Sequence, residues 1–239
     1  MDLLQLNSTS EIVLIFHCDS EQYYAKAYRT FYLSTYAEDA KLYFKKSGTI
    51  GCFYGSKGLS KYIPINLILD LYGITHILEI NLKETDVDDY IPENHIQVQD
   101  RVLNGWKESC YILNGTNNQI VSLNKSQKDD LLNSFIQSTM ENWNWLSIVV
   151  NDPTNIPLKL FYIQNDKLKM IVRQFKGDEK LKDLATLFHF QQAKCCGILL
   201  DINMQLSQLL SLISCDGFLY FALFNVKESE ETTKSGMEG

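Results

Sequence analysis

Short unbroken apolar runs alternate with stretches in which apolar residues recur every three to four positions. Ile12–Phe16 is the first run, and five consecutive apolar residues read as a buried strand. In Glu21–Phe44, Tyr24, Ala27, Tyr28, Phe31, Tyr32 and Tyr36 recur near helical spacing, so the pattern predicts a long helix that ends at Ser47-Gly48. Thr49–Tyr54 reads as a second strand, closed by Gly55-Ser56-Lys57-Gly58. Leu59–Tyr72 reads as a helix with Pro64 near its first turn and Gly73 as its stop. Ile74–Leu82 is a third strand, Lys83–Tyr90 an acidic connector, and His95–Val98 a short fourth strand that ends at Asp100. Strands alternating with helices imply a parallel sheet.

From Val102 to Asn124 the periodicity weakens. Ser126 with Asp129 three residues on forms a loose capping box, opening a helix that runs to about Trp143. Trp145–Val150 reads as a strand stopped by Asn151-Asp152-Pro153, where a soft boundary falls. Leu158–Ile163 and Lys169–Phe175 flank Asn165-Asp166-Lys167, a hairpin signature. Asp178–Phe190 and Met204–Ile213 read as helices, Gly197–Ile202 and Gly217–Val226 as strands. The reading is an α/β fold: a mostly parallel sheet with flanking helices over residues 1–151, a smaller α+β second half over 152–226, and a polar, disordered tail over 227–239. No internal repeat is legible.

Composition narrows the function classes. A net charge of −7 argues against nucleic-acid binding through a broad basic face. No apolar run approaches the ~20 residues of a membrane span, and the first residues, MDLLQLNSTSE, lack the basic start of a secretory signal. The six cysteines have no paired metal-ligand spacing, and the vicinal Cys195-Cys196 is not a zinc knuckle. A reducing intracellular site, cytoplasmic or nuclear, follows.

Candidate chemistry concentrates where the first strand ends. His17, Asp19 and Glu21 occupy alternate positions there, the place where open α/β sheets bind ligands. An ordinary polar loop in which Asp19 or Ser20 caps the next helix accounts for the same residues. The run IFHCDSEQYYAKA resembles the first motif of the DHH phosphoesterases, in which a strand ends in His-x-Asp-x-Asp-Gly. His17 and Asp19 match, and Glu21 stands for the second Asp. Glu79, in ITHILEINL, is similar to the family's second motif, and Asp100, in IQVQDRV, to its third. The resemblance covers about residues 11–105 and implies a site for two divalent ions, Mn²⁺ or Mg²⁺. Arg101 and Val102 replace the two His of the third motif, and the second half lacks a Gly-Gly-Gly-His loop. The resemblance therefore favours the fold over the activity, with His17, Asp19, Glu21, Glu79 and Asp100 a vestigial metal set and no cofactor expected. An inactive domain derived from this family is also carried by a subunit of the eukaryotic replicative helicase.

GTIGCFYGS, LYGITHILEIN and IQVQD are also similar to the opening half of dual-specificity phosphatases. That family needs a His-Cys-x5-Arg loop, and Val149–Asn155, the place for it, has neither Cys nor Arg. Both resemblances point to a pseudoenzyme. The expected function is a non-catalytic, protein-binding subunit of an intracellular assembly, with Tyr23, Tyr32, Tyr36 and Tyr43 as partner contacts because interface centres are rich in aromatics. The alternatives are a divergent metal-dependent phosphoesterase acting on nucleotides or short oligonucleotides and an inactive phosphatase-like binding protein.

Overall fold

The computed structural model describes residues 11–136, 154–172 and 175–226. The expected strand Trp145–Val150, the boundary at 151–153 and the tail over 227–239 lie outside the described residues. The first sheet is built from β1 (Glu11–Cys18), β2 (Glu21–Tyr28), β3 (Ile50–Tyr54), β4 (Lys57–Gly58) and β5 (Ile77–Glu84), with α1 (Ser34–Tyr43) and α2 (Ile65–Tyr72) between strands. A helical segment follows: α3 (His95–Asn114), α4 (Asn118–Val121) and α5 (Lys125–Ile136). The second sheet contains β7 (Leu158–Gln164), β8 (Lys167–Val172), β10 (Gln192–Cys195), β11 (Ile198–Leu199) and β12 (Leu219–Phe224), while β6 (Asn155–Ile156) and β9 (Phe175–Lys176) form a separate pair. Between them lie α6 (Leu181–Phe188) and a 3-10 helix over Leu206–Leu212.

The two sheets repeat one layout. The first runs β2-β1-β5-β3-β4, and the second, read from its hairpin end, runs β8-β7-β12-β10-β11. In each, a hairpin's first strand pairs in parallel with the last strand of the half, and every other pairing is antiparallel. The expectation of a mostly parallel sheet is thus corrected. β1 and β5 are parallel neighbours as the apolar runs suggested, but β3 lies beyond β5 and pairs with it antiparallel.

The reason lies in the segment after Cys18. Residues 21–28 form a strand antiparallel to β1, not the first turns of a helix. A tyrosine every fourth residue suits either period, because four is also an even number. The Asp19-Ser20 turn, with Asp19 at φ 55°, reverses the chain into a hairpin, and antiparallel strands need only such a short turn. The helix begins at Ser34 instead. The expected strand at His95–Val98 is the first turn of α3, opened by a reciprocal capping box between Asn94 and Gln97. The Asn165-Asp166 hairpin forms as read, with both residues at positive φ.

Helix α2 joins the halves. Ile65, Leu67, Ile68 and Leu69, which point to different sides of the helix, are all at most 1% exposed. A helix buried on every side must be covered on every side, and α2 packs against β12 and β10 of the second sheet, while its first N–H groups donate to the Phe31 and Arg29 carbonyls of the first half. β12 shows the consequence, with five successive buried residues from Leu219 to Leu223. One apolar cluster extends through both sheets and α3. No helix among the described residues is long and apolar enough to cross a membrane.

Candidate protein-binding cleft

A buried carboxylate ties the three regions together. Asp216 sits in a turn before β12, and its Oδ2 accepts hydrogen bonds from Tyr32 Oη at 2.8 Å and Tyr220 Oη at 2.6 Å. Its Oδ1 accepts the Phe218 N–H at 3.2 Å. From α3, Trp106 Nε1 donates to the Cys215 carbonyl at 2.6 Å, and Ser109 Oγ reaches the Asp216 carbonyl at 3.5 Å. Gly105 permits this approach, since a Cβ there would lie 2.8 Å from Asp216. Burial, and then the Asp216 charge, hold the Tyr32 and Tyr220 hydroxyls well above the usual phenol range. A carboxylate with two phenol donors and a backbone donor is a satisfied buried charge, so this cluster is a clasp.

Above the clasp opens a cleft of about 820 Å³ between the first half, α3 and the β7–β8 hairpin. One wall is acidic, carrying Asp89, Asp100 and Glu108. The opposite wall presents Leu168 and Met170, which are 37% and 53% exposed, beside the buried Phe161 and the Lys159 and Lys169 amines. At the rim, Arg101 stacks over the Tyr62 ring at 4.2 Å and grips Glu93 through two hydrogen bonds. Burial works against the Arg101 charge, but the Glu93 bonds outweigh it and raise its pKa. A cleft lined by both exposed apolar side chains and carboxylates suits an amphipathic protein segment with a basic edge.

The residues singled out from the sequence scatter over this framework. Asp100 lies in the cleft wall. His17 and Glu79 meet on the outer side of the first sheet, with His17 Nε2 3.8 Å from Glu79 Oε2. Asp19 occupies the β1–β2 turn, where Lys46 Nζ donates to it at 2.7 Å and lowers its pKa, first by hydrogen bonding and then by charge. Glu21 begins β2 opposite Cys18. Among the described residues, no group of three or more His, Cys, Asp or Glu side chains could hold a metal ion. Of the tyrosines, Tyr32 and Tyr36 are buried, Tyr32 in the clasp and Tyr36 with its hydroxyl accepting the Tyr28 N–H at 3.1 Å. Tyr23 is half-buried between Phe16 and Tyr43, and Tyr43 is 55% exposed. Sequence reasoning missed Tyr62, Glu93, Lys159, Met170 and Asp216. The one available signal was Cys215-Asp216-Gly217, a charge set between apolar runs.

The helical wall of the cleft also carries a likeness to a known family. Residues 96–149 match the family model for Autophagy protein ATG5, alpha-helical bundle region. The chain is 26% identical over 153 residues to Autophagy protein 5 of Vanderwaltozyma polyspora, covering 56% of this chain and 51% of that protein. It is 23% identical over 194 residues to Autophagy protein 5 of Pichia angusta, covering 70% of each. The match thus spans about half the length of the first relative. The fold is shared with the crystal structure of Kluyveromyces marxianus Atg5, at a TM-score of 0.79 and 18% identity, covering 92% of this chain and 98% of that one.

These findings overturn the resemblance to DHH phosphoesterases, and with it the description of the chain as a degenerate phosphoesterase or pseudoenzyme. The structural reason is that the supposed third motif is not a strand end. Asp100 and Arg101 lie inside α3, within the segment that matches the autophagy family.

Proposed function

We propose that the chain is a non-catalytic, protein-binding component of autophagy, a counterpart of Autophagy protein 5, that works inside the cell within a multiprotein assembly. One observation carries this reading: the segment matching the autophagy family supplies the α3 wall of the cleft, where all three regions converge. A partner segment laid there would set apolar side chains on Leu168 and Met170 and a basic side chain against Asp89, Asp100 and Glu108. The clasp beneath keeps the walls at fixed separation, so little ordering cost would fall on binding. Tyr23 and Tyr43, which do not line the cleft, would serve as a second partner contact.

The test is replacement of Autophagy protein 5 in cells that lack their own. The intact chain is expected to restore autophagic turnover. Met170→Asp and Asp100→Lys are expected to abolish it while leaving the melting temperature within a few degrees, because both positions are on the surface of the cleft. Failure of the folded, expressed chain to restore turnover would overturn the reading. Full activity of both cleft variants would move the binding site elsewhere.

A further inference from the structure

Successive residues on a strand point to opposite faces, which keeps the sulfurs of adjacent cysteines apart. Cys195 and Cys196 escape this rule. Cys195 ends β10 paired with Ile198, and Cys196-Gly197 form a two-residue turn with both φ values positive, 52° and 82°. The left-handed backbone at Cys196 turns its side chain back, and Cys195 Sγ donates to Cys196 Sγ at 3.9 Å. Such turns favour Asn-Gly or Gly-Gly. The equivalent turn of the first sheet, between β3 and β4, places Gly55 there at φ 61°. The layout alone therefore does not call for a cysteine at 196.

The two sulfurs have different surroundings. Cys195 is fully buried, while Cys196 is part-exposed and accepts a hydrogen bond from Asn66 Nδ2 at 3.0 Å. The contact with Cys196, and then burial, hold the Cys195 thiol well above its ordinary range. The turn rests on α2: the Gly197 N–H donates to Asp70 Oδ1 at 2.8 Å, and Asp70 Oδ2, buried alongside, has no hydrogen-bond partner among the described residues. A reachable sulfur beside a buried second one is the arrangement of a peroxide-reacting cysteine with its resolving partner.

We propose that Cys195 and Cys196 are an oxidisable vicinal pair that a hydroperoxide converts to a disulfide. The Cys196 thiolate attacks the peroxide, an S–O bond forms, the O–O bond breaks, and the alcohol or water leaves with a proton. The Cys195 sulfur then attacks the sulfenic sulfur, an S–S bond forms, the S–O bond breaks, and hydroxide leaves as water with the thiol proton. Two thiols lose two electrons and two protons, and the hydroperoxide takes up both. Adjacent Cα atoms are ~3.8 Å apart, closer than the ~4.4–6.8 Å usual for disulfides, so the bond is strained and easily reduced. Drawing the Cys196 sulfur toward Cys195 takes it from Asn66 and turns the Gly197 N–H away from Asp70. Oxidation thus acts on the seam between α2 and the second sheet.

The test uses the full chain treated with hydrogen peroxide, unfolded, alkylated with N-ethylmaleimide and weighed. In the untreated chain all six free cysteines are expected to be alkylated. The expected result is the loss of two alkylation sites, mapped to Cys195 and Cys196 and restored by dithiothreitol, with faster amide exchange at Gly197 in the oxidised form. Cys196→Ser is expected to keep all its remaining alkylation sites. Retention of every site in the treated wild-type chain, a disulfide between any other pair, or sulfonic acid at Cys196 with Cys195 still alkylated would each overturn the proposal. The wild-type result decides alone if the variant fails to fold.

Discussion

Both sheets place a hairpin strand and the last strand of their half side by side in parallel, with an antiparallel strand and a short edge strand beyond, yet they bury themselves differently. In the first sheet, β1 and β5 alternate buried and exposed residues, and Tyr24 and Ile77 on the outer face are 60% and 52% exposed. In the second, β12 is buried continuously, because α2 of the first half covers it. Alternation marks a half-solvated sheet and a continuous run marks one covered on both faces. The same layout thus serves as an open platform in one half and as part of a sandwich in the other. β12 and α2 bury each other across the halves, whereas the outer face of the first sheet has no such cover.

That asymmetry can be broken at the clasp. Trp106→Ala removes a 2%-exposed ring and its bond to the Cys215 carbonyl, and is expected to cost about 4 kcal/mol. Urea denaturation should show a single transition at a lower midpoint. Two separate transitions in the wild-type chain would show that the halves unfold independently and would break the comparison. Asp216→Ala strands two buried phenols and is expected to cost about 3 kcal/mol, against about 1 kcal/mol for Tyr32→Phe, which leaves the carboxylate two other donors. Equal costs would mean that Asp216 is not the shared node.

The seam between α2 and the β10–β11 turn can be tested by pH. Burial raises the Asp70 pKa from 3.8 to about 6, against the pull of the Gly197 N–H and the Lys194 and Arg29 charges. Folded Asp70 keeps its proton up to about pH 6, whereas the unfolded chain releases it near 3.8. Its contribution to stability is therefore fullest below about pH 4 and declines to a lower plateau above about pH 6, by about 3 kcal/mol. Asp70→Asn should remove this decline, so urea midpoints of the two proteins should differ at pH 7 in favour of the variant and converge at pH 4. A variant weaker at both pH values would show that the charge stabilises the seam.

The smallest effects concern the two equivalent turns. Gly55→Ala, at φ 61° with open space around it, is expected to cost about 1 kcal/mol through backbone strain alone. Cys196→Asn places the favoured residue in a left-handed position and is expected to gain about 0.5 kcal/mol. A loss at Cys196→Asn, measured under reducing conditions, would mean that the Asn66 contact outweighs the strain.

The difference between the halves also explains what could be read from the residues. The apolar runs marked β1, β3, β5, β7 and β12 close to where they lie, because burial of a strand is written in its own residues. Gly73 ends α2 at φ 67° as its type suggests, and Asn165-Asp166 makes its hairpin. The helix read over Glu21–Phe44 failed at its first half because spacings of four residues satisfy both periods, and only the Asp19 turn decides between them. Asn94 and Gln97 carried a capping signal that a short apolar alternation at Ile96 and Val98 masked.

Of the expected site, Asp100 reaches the cleft, but as one carboxylate of an acidic wall. The apolar segments, the tight turns and the acidic character could be read from the residues, each being a property of the chain's own composition or of near neighbours. The rest came with the folded chain: the doubled sheet layout, the burial of α2 against the second sheet, and the meeting of Tyr32 with Asp216 and Tyr220 across more than 180 residues. Those contacts depend on which faces remain to be covered once the strands have paired, and no local pattern records that.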